Sequence, residues 1–404
     1  MSGAARPRIA VVHEWLLDFA GSERVLREIL EILPQADLFA LVDQPDEELK
    51  TAIPRRAKAT SFLQRLPRPR RWLRYYVPLM PLAVEQFDVS AYDIVVSSNH
   101  AVAKGVITGP RQFHLSYVHT PMRYAWDLQH EYLRAAGLER GPAGWAARLV
   151  LHRLRQWDAR SANGVDVFLA NSAHVARRIS KAYRREAEVL YPPVDVSGFP
   201  LRDKKEDFYL TVSRLEAYKR VDLLVEAFGR RPERRLVVIG DGPEMRHLRS
   251  KASPNVEFLG RLPTPDVVER MQRARAFLFA GIEDFGIVMA EAQACGTPVI
   301  AFGHGGAAEI VRSESSPQPT GVLFAEQTAD SLLEAVHRFE LDAGRFVPSS
   351  CRDNAMRFDR ARFRQRFEEL LRSHWERFSR ELAAWPPAVD SKRNTDGIEP
   401  GQWP

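Results

Sequence analysis

The sequence predicts an α/β protein built from two Rossmann-like domains whose parallel sheets face one another across a central cleft. Three observations carry this. The chain has 404 residues, more than one ordinary hydrophobic core holds. Short apolar, β-rich runs alternate with segments of helical period, the rhythm that builds parallel sheets covered by helices. That rhythm stops at Tyr191-Pro192-Pro193-Val194-Asp195 and the polar stretch Arg202 to Asp207, then restarts. The implied layout is an N-terminal domain over 1–195, a second domain over 196–362, a helix over 363–384 packing back towards the first domain, and a flexible tail over 385–404.

In the first half, strands are expected at Arg8–Val12, Tyr92–Ser97, His114–Val118, Val165–Ala170 and Val189–Tyr191, with amphipathic helices over Glu23–Leu33 and Ala173–Tyr183. In the second half, strands are expected at Tyr209–Val212, Leu236–Ile239, Val256–Leu259, Ala276–Phe279, Pro298–Ala301 and Val322–Phe324. Helices between them are expected over Arg220–Phe228, Pro243–Lys251, Pro265–Ala274, Gly286–Cys295, Gly306–Arg312 and Ala329–Phe339, and a basic-aromatic helix over Arg362–Leu382. Such sheets place ligands beyond the carboxyl ends of their strands, so function is expected in the cleft.

With 45% hydrophobic and 27% charged residues the composition is globular, not disordered. No charge-free run of about 18 apolar residues occurs, and MSGAARPR lacks the apolar stretch of a signal peptide, so a cytoplasmic location is expected. Cys295 and Cys351 fit no paired metal-ligand spacing and are expected to be buried and inert. The formal charge of +6 admits nucleic acid, anionic lipid or a phosphorylated substrate as partner. Its distribution is more telling: Pro54 to Tyr76 holds eight Arg or Lys and no acid, with Phe62, Trp72, Tyr75 and Tyr76 interleaved, a mixture that suits an anionic interface.

Three pieces carry chemistry. In Glu283-Asp284-Phe285-Gly286-Ile287-Val288-Met289-Ala290-Glu291 one carboxylate lies in the loop after a strand and the second about two helical turns deeper. Between them the N–H groups of Phe285, Gly286, Ile287 and Val288 form a helix start that favours an anion, and Gly286 admits close backbone approach. After Tyr209–Val212 comes Ser213-Arg214-Leu215-Glu216-Ala217-Tyr218-Lys219, which offers a fork and a point cation to a diphosphate. Gly240-Asp241-Gly242-Pro243-Glu244 is a tight turn into a helix. Any one of these alone has a bland structural reading, a solvated helix or a basic loop.

Together and in this order they resemble the retaining GT-B glycosyltransferases of family 4 (glycosyl transferases group 1). The resemblance extends to Gly21-Ser22-Glu23-Arg24-Val25, Leu169 to Ser172, Tyr191 to Asp195 and Gly296-Thr297-Pro298-Val299-Ile300. It implies that Glu283 holds donor-sugar hydroxyls, Glu291 the ribose, Arg214 and Lys219 the diphosphate, and the amides from Phe285 to Val288 the sugar and phosphate. The base would lie near Gly260, Arg261 and Leu262. Where many members have Gly-Gly, this chain has Ala20-Gly21, so Gly21 alone would approach the phosphate. His119, at a predicted strand end of the first domain, would contact the sugar at the reacting centre, with His13 and His100 as further acceptor-side groups.

Charge growing on a departing diphosphate must be stabilised. No Asp-x-Asp pair is present, so Arg214, Lys219 and the helix start are expected to act without metal or other cofactor. His119 to Trp126 and Glu283 to Val288 are similar to bacterial mannosyltransferases of O-antigen and exopolysaccharide assembly. That implies GDP-mannose as donor, UDP-glucose as the alternative, and as acceptor a polyprenyl-diphosphate-linked oligosaccharide at the inner face of the cytoplasmic membrane. A nucleic-acid binder, a non-catalytic sugar-binding relative, and an epimerase or phosphorylase of the same architecture are the rival classes. No nucleic-acid module is evident, and no nucleic-acid partner is expected.

Overall fold

The computed structural model describes residues 7–384; the expected tail over 385–404 and the first six residues lie outside the described residues. The first sheet has seven parallel strands in the order β3-β2-β1-β4-β5-β6-β7: β1 (Ile9–Leu16), β2 (Asp37–Asp43), β3 (Ala59–Thr60), β4 (Ile94–Asn99), β5 (Phe113–Val118), β6 (Val167–Ala170) and β7 (Glu188–Val189). The second has six in the order β10-β9-β8-β11-β12-β13: β8 (Tyr209–Val212), β9 (Leu236–Ile239), β10 (Val256–Gly260), β11 (Ala276–Phe279), β12 (Val299–Phe302) and β13 (Gly321–Phe324). The central strands are buried on both faces, which is why they read as continuous apolar runs with no alternation.

Each sheet reverses its strand order once, between β1 and β4 in the first and between β8 and β11 in the second. The chain returns to the first domain at its end: the helix Arg360–Ala384 buries Phe363, Phe367, Leu370 and Leu371 in the core formed by Val11, Val96 and Leu115. Arg360 and Arg364 seal that seam by donating to the fully buried Glu28 carboxylate at 2.8 and 2.5 Å. Val194 and Asp359 form a parallel bridge where the two crossings between domains meet.

The strands Tyr209–Val212, Leu236–Ile239 and Ala276–Phe279 fall where the sequence predicts them. β2 and the 21-residue helix Gly141–Ser161 were not predicted. Leu38 to Val42 is apolar throughout and shows no period of two. The helix Gly141–Ser161 buries only Gly144, Leu154 and Asp158, too few to draw a stripe. The Pro54–Tyr76 stretch is less free than its composition suggests. Arg55 donates to the Pro34 and Ala36 carbonyls, Arg56 pairs with Asp43, Lys58 with Asp37 and Arg70 with Asp18.

Candidate functional site

Ligands of doubly wound sheets sit where strand order reverses, and Gly21, Arg214, Lys219 and Glu283 follow the strands β1, β8 and β11 at those two points. Lys219 ends a short 3-10 turn after β8, and Glu283 lies in the loop after β11; the ammonium touches the carboxylate, and the two side chains are 15% and 14% exposed. The loops can meet because residue 281 is glycine: a Cβ there would stand 3.0 Å from the Lys219 Cα. The ammonium also sits over the rings of Tyr218 and Phe279, at 5.1 and 5.6 Å. Burial, then Arg123 and Arg214, push Lys219 down to about 7. The carboxylate of Glu283 at contact pulls the other way. Arg214 is 77% exposed and only 3.4 Å from Glu216, so its fork remains open to a ligand.

The Glu283 backbone is fixed by a loop whose role the sequence reading missed. Gly306 N–H donates to the Glu283 carbonyl at 2.8 Å, and a Cβ on Gly306 would lie 2.0 Å from the Phe285 carbonyl oxygen. The cluster Gly303-His304-Gly305-Gly306 after β12 was the available signal.

Gly286 has φ +95° and caps the helix Ile287–Ala294, which starts one residue later than predicted. Ile287 and Val288 are half-buried, with the free N–H groups of a first turn. Phe285 offers the site only its backbone, since its ring is buried against Tyr191 and Phe358. Across the cleft, Gly21 begins the helix Gly21–Ile32, and a Cβ there would be 3.6 Å from Ile287 Cδ1. Two helix starts of opposite domains therefore converge, and their partial positive charges add at one place. A Cβ at Gly21 would make only ordinary van der Waals contact there, so the packing itself does not demand a glycine at this position.

Glu291 is buried within the helix and accepts from Arg24 of the opposite domain. Arg24 was part of a quoted motif but had been given no role. Two further contacts cross the cleft. Asp284 pairs with Arg123 at 2.9 Å and with Arg178 at 2.6 Å, and the Glu309 carboxylate accepts from Ala173 N–H and His174 N–H at 2.8 and 3.0 Å. The last places an acid on the start of the helix Ala173–Tyr183, where such a charge is favoured.

His119 follows β5 on the first domain's side of the cleft, and Arg178, which holds Asp284 beside Glu283, also donates to Thr120 Oγ1 at 3.0 Å. Its Nε2 is 2.9 Å from Ser98 Oγ. Burial, then the nearby His100 and His13, depress its basicity to about 3, so it works as a neutral hydrogen-bonding ring. His100 is held the other way: its Nδ1 lies 2.9 Å from Glu14 Oε2, and Glu14 raises it despite burial. Glu14 in turn accepts four backbone N–H bonds, from His100 to Val102 and Ala103, at 2.9 to 3.1 Å.

Arg261 and Leu262 stand apart from this centre, after the edge strand β10. Arg261 is exposed and Leu262 packs partly into the core. Gly240 N–H donates to the Gly260 carbonyl at 2.8 Å, tying this loop to the Gly240–Glu244 turn. Cys295 and Cys351 are both buried, and burial pushes each thiol up to about 12.

Two parallel α/β domains with their strand-order reversals facing one cleft define the GT-B architecture. Solved structures agree on that fold. The chain is similar to Anabaena HepE in complex with UDP (TM-score 0.66, 18% identity, 91% of this chain and 100% of that one). It is also similar to sucrose-phosphate synthase from Thermosynechococcus elongatus (TM-score 0.70, 17% identity, 91% and 99%). Residues 197–357, most of the second domain, match the family model described as glycosyl transferases group 1.

Among curated relatives, the chain is 32% identical over 222 residues to a GDP-mannose-dependent monoacylated alpha-(1-6)-phosphatidylinositol monomannoside mannosyltransferase of Corynebacterium glutamicum. That match covers 47% of this chain and 56% of the relative. A D-inositol 3-phosphate glycosyltransferase of Mycobacterium avium is 29% identical over 197 residues, covering 42% and 45%. The match thus spans about half the length of these curated relatives.

Proposed function

We propose that this protein is a retaining, metal-independent hexosyltransferase that moves mannose from GDP-mannose to a lipid-linked oligosaccharide in cell-surface polysaccharide synthesis. The observation that carries the reading is the meeting of Lys219, Glu283 and two opposed helix starts at the strand-order reversals. A cation and an acid in contact suit a sugar diphosphate: Lys219, with Arg214, takes the phosphates, and Glu283 takes hydroxyls of the attached sugar. Glu291 then serves the ribose once Arg24 releases it, and Arg261 and Leu262 flank the base. As the sugar–phosphate bond breaks, charge grows on the diphosphate, and Lys219, Arg214 and the N–H groups from Phe285 to Val288 stabilise it without metal. The acceptor attacks on the face the diphosphate leaves, the departing phosphate takes its proton, and His119 steadies the sugar from the other domain.

GDP-mannose is preferred because the matched curated relatives include enzymes whose names state that donor; UDP-glucose is the alternative. A thermal-shift series with GDP-, UDP- and ADP-sugars tests the choice. GDP-mannose is expected to stabilise most, and stabilisation by UDP-glucose alone would overturn it.

The membrane face of the proposal rests on the first domain. No helix among the described residues is long and apolar enough to cross a membrane. Trp72, Tyr75, Leu79 and Leu82 are 40 to 64% exposed among the exposed Arg65, Arg68, Arg71 and Arg74, and Trp145 and Leu149 are exposed on the helix Gly141–Ser161. Basic side chains near anionic lipid contribute about 1 kcal/mol each. Flotation with phosphatidylglycerol vesicles is expected, and equal flotation with neutral vesicles would remove the anionic contact.

A further inference from the structure

Ser98 sits at the middle of a buried hydrogen-bond chain that sugar binding alone does not explain. His13 of β1 and Ser98 of β4 are partners in the parallel register. Ser98 Oγ lies 3.1 Å from His13 Nδ1 and 2.9 Å from His119 Nε2, and His13 Nε2 lies 3.3 Å from Glu23 Oε1. His13 and Ser98 have no solvent exposure and Glu23 has 3%, so water does not interrupt the chain.

Hydrogen counting restricts what this chain can be. A carboxylate only accepts, so His13 Nε2 carries a hydrogen. A hydroxyl has one hydrogen, so between two ring nitrogens Ser98 donates to one and accepts from the other. With His13 neutral, Ser98 donates to His13 Nδ1 and accepts from His119 Nε2–H, which leaves His119 Nδ1 as a bare acceptor. With His13 protonated on both nitrogens, His13 donates to Ser98, Ser98 donates to His119 Nε2, and His119 Nδ1 carries the hydrogen. In both arrangements His119 stays neutral, as its burial demands. Nδ1 is the His119 ring nitrogen with no protein hydrogen bond among the described residues.

We propose that Ser98 and His13 are positioning residues that set the tautomer of His119, so that a proton arriving on His13 turns the free nitrogen of His119 from acceptor to donor. The inference rests on the transferase reading only for what that nitrogen meets, a sugar or acceptor hydroxyl. A hydroxyl proton taken at His119 Nδ1 is balanced along the chain: the Nε2 proton passes to Ser98 Oγ, and the Ser98 proton passes to His13 Nδ1. The positive charge then rests on His13 beside Glu23. The other charged groups facing the chain are Glu14 on β1, His100 after β4 and Arg123 after β5.

Nitrogen-15 spectra of histidine-labelled full-length protein read the tautomer directly, with His119→Gln identifying the resonances. Where the spectra show His13 taking up a second ring proton, His119 is expected to pass in step from the Nε2–H to the Nδ1–H form. The change should survive in Ser98→Thr and disappear in Ser98→Ala, with circular dichroism confirming that both variants fold. The same His119 pattern in wild type and Ser98→Ala overturns the proposal. An intact switch in a protein that transfers no sugar would count against the transferase reading and leave the hydrogen chain supported.

Discussion

Arg24 of the first domain donates to Glu291 of the second, so the carboxylate assigned to the donor ribose is occupied from across the cleft by a residue 267 positions earlier. On the proposed reading, Arg24 must give way before Glu291 can take the ribose. Arg24→Met leaves a buried carboxylate unpaired, and with Arg24 itself a third exposed the cost is about 1–2 kcal/mol. Small-angle scattering of the nucleotide-free variant should show a larger radius of gyration than wild type, and superimposable curves would mean the pair does not close the cleft.

The proposed contact of Lys219 with the donor diphosphate implies a pH dependence of donor affinity with a definite sign. Burial, then Arg123 and Arg214, push the ammonium down to about 7 against the pull of the touching Glu283 carboxylate, and a bound diphosphate would raise it. Binding therefore takes up a proton above that pH, and affinity falls by up to about tenfold per unit as pH rises beyond about 7. Calorimetry at pH 8 in buffers of different ionisation heat should register the uptake in wild type and none in Lys219→Met.

Gly286→Ala tests the helix start. At φ +95° an L-residue is strained by about 1–2 kcal/mol, and its Cβ would stand 2.2 Å from Met289 Cε. Denaturant melts should show that loss together with weaker GDP binding; loss of stability with unchanged GDP affinity would separate this turn from the phosphate site.

Phe367 is fully buried where the last helix joins the first domain's core. Phe367→Ala should cost about 3–5 kcal/mol, read as a lower urea midpoint. A change under about 1 kcal/mol would mean the helix is not part of that core.

The second domain was largely legible because most of its strands are short, mainly apolar runs bounded by turn residues, as at Ala276–Phe279. The first was less so. Leu38 to Val42 is the same kind of short buried apolar run and was readable by the same rule, whereas the helix Gly141–Ser161 exposes most of its surface and draws no apolar stripe. Among the candidate residues, Glu283, Lys219 and Gly286 are readable from local chemistry at strand ends, and the structure brings Glu283 and Lys219 into contact. Arg24–Glu291 and the Ser98 chain are not, because such pairs are created by register and domain closure, which leave no local spacing to read.

The central claim is that Glu283 orients donor sugar beside a cation that holds its diphosphate. Glu283→Gln, assayed for transfer from GDP-mannose and for GDP binding by calorimetry, tests it most directly. The account predicts turnover lower by about two or more orders of magnitude, roughly 3 kcal/mol or more of barrier, with GDP affinity preserved. Wild-type turnover in this variant, or a trapped glycosyl adduct on Glu283 of the native enzyme, would contradict it.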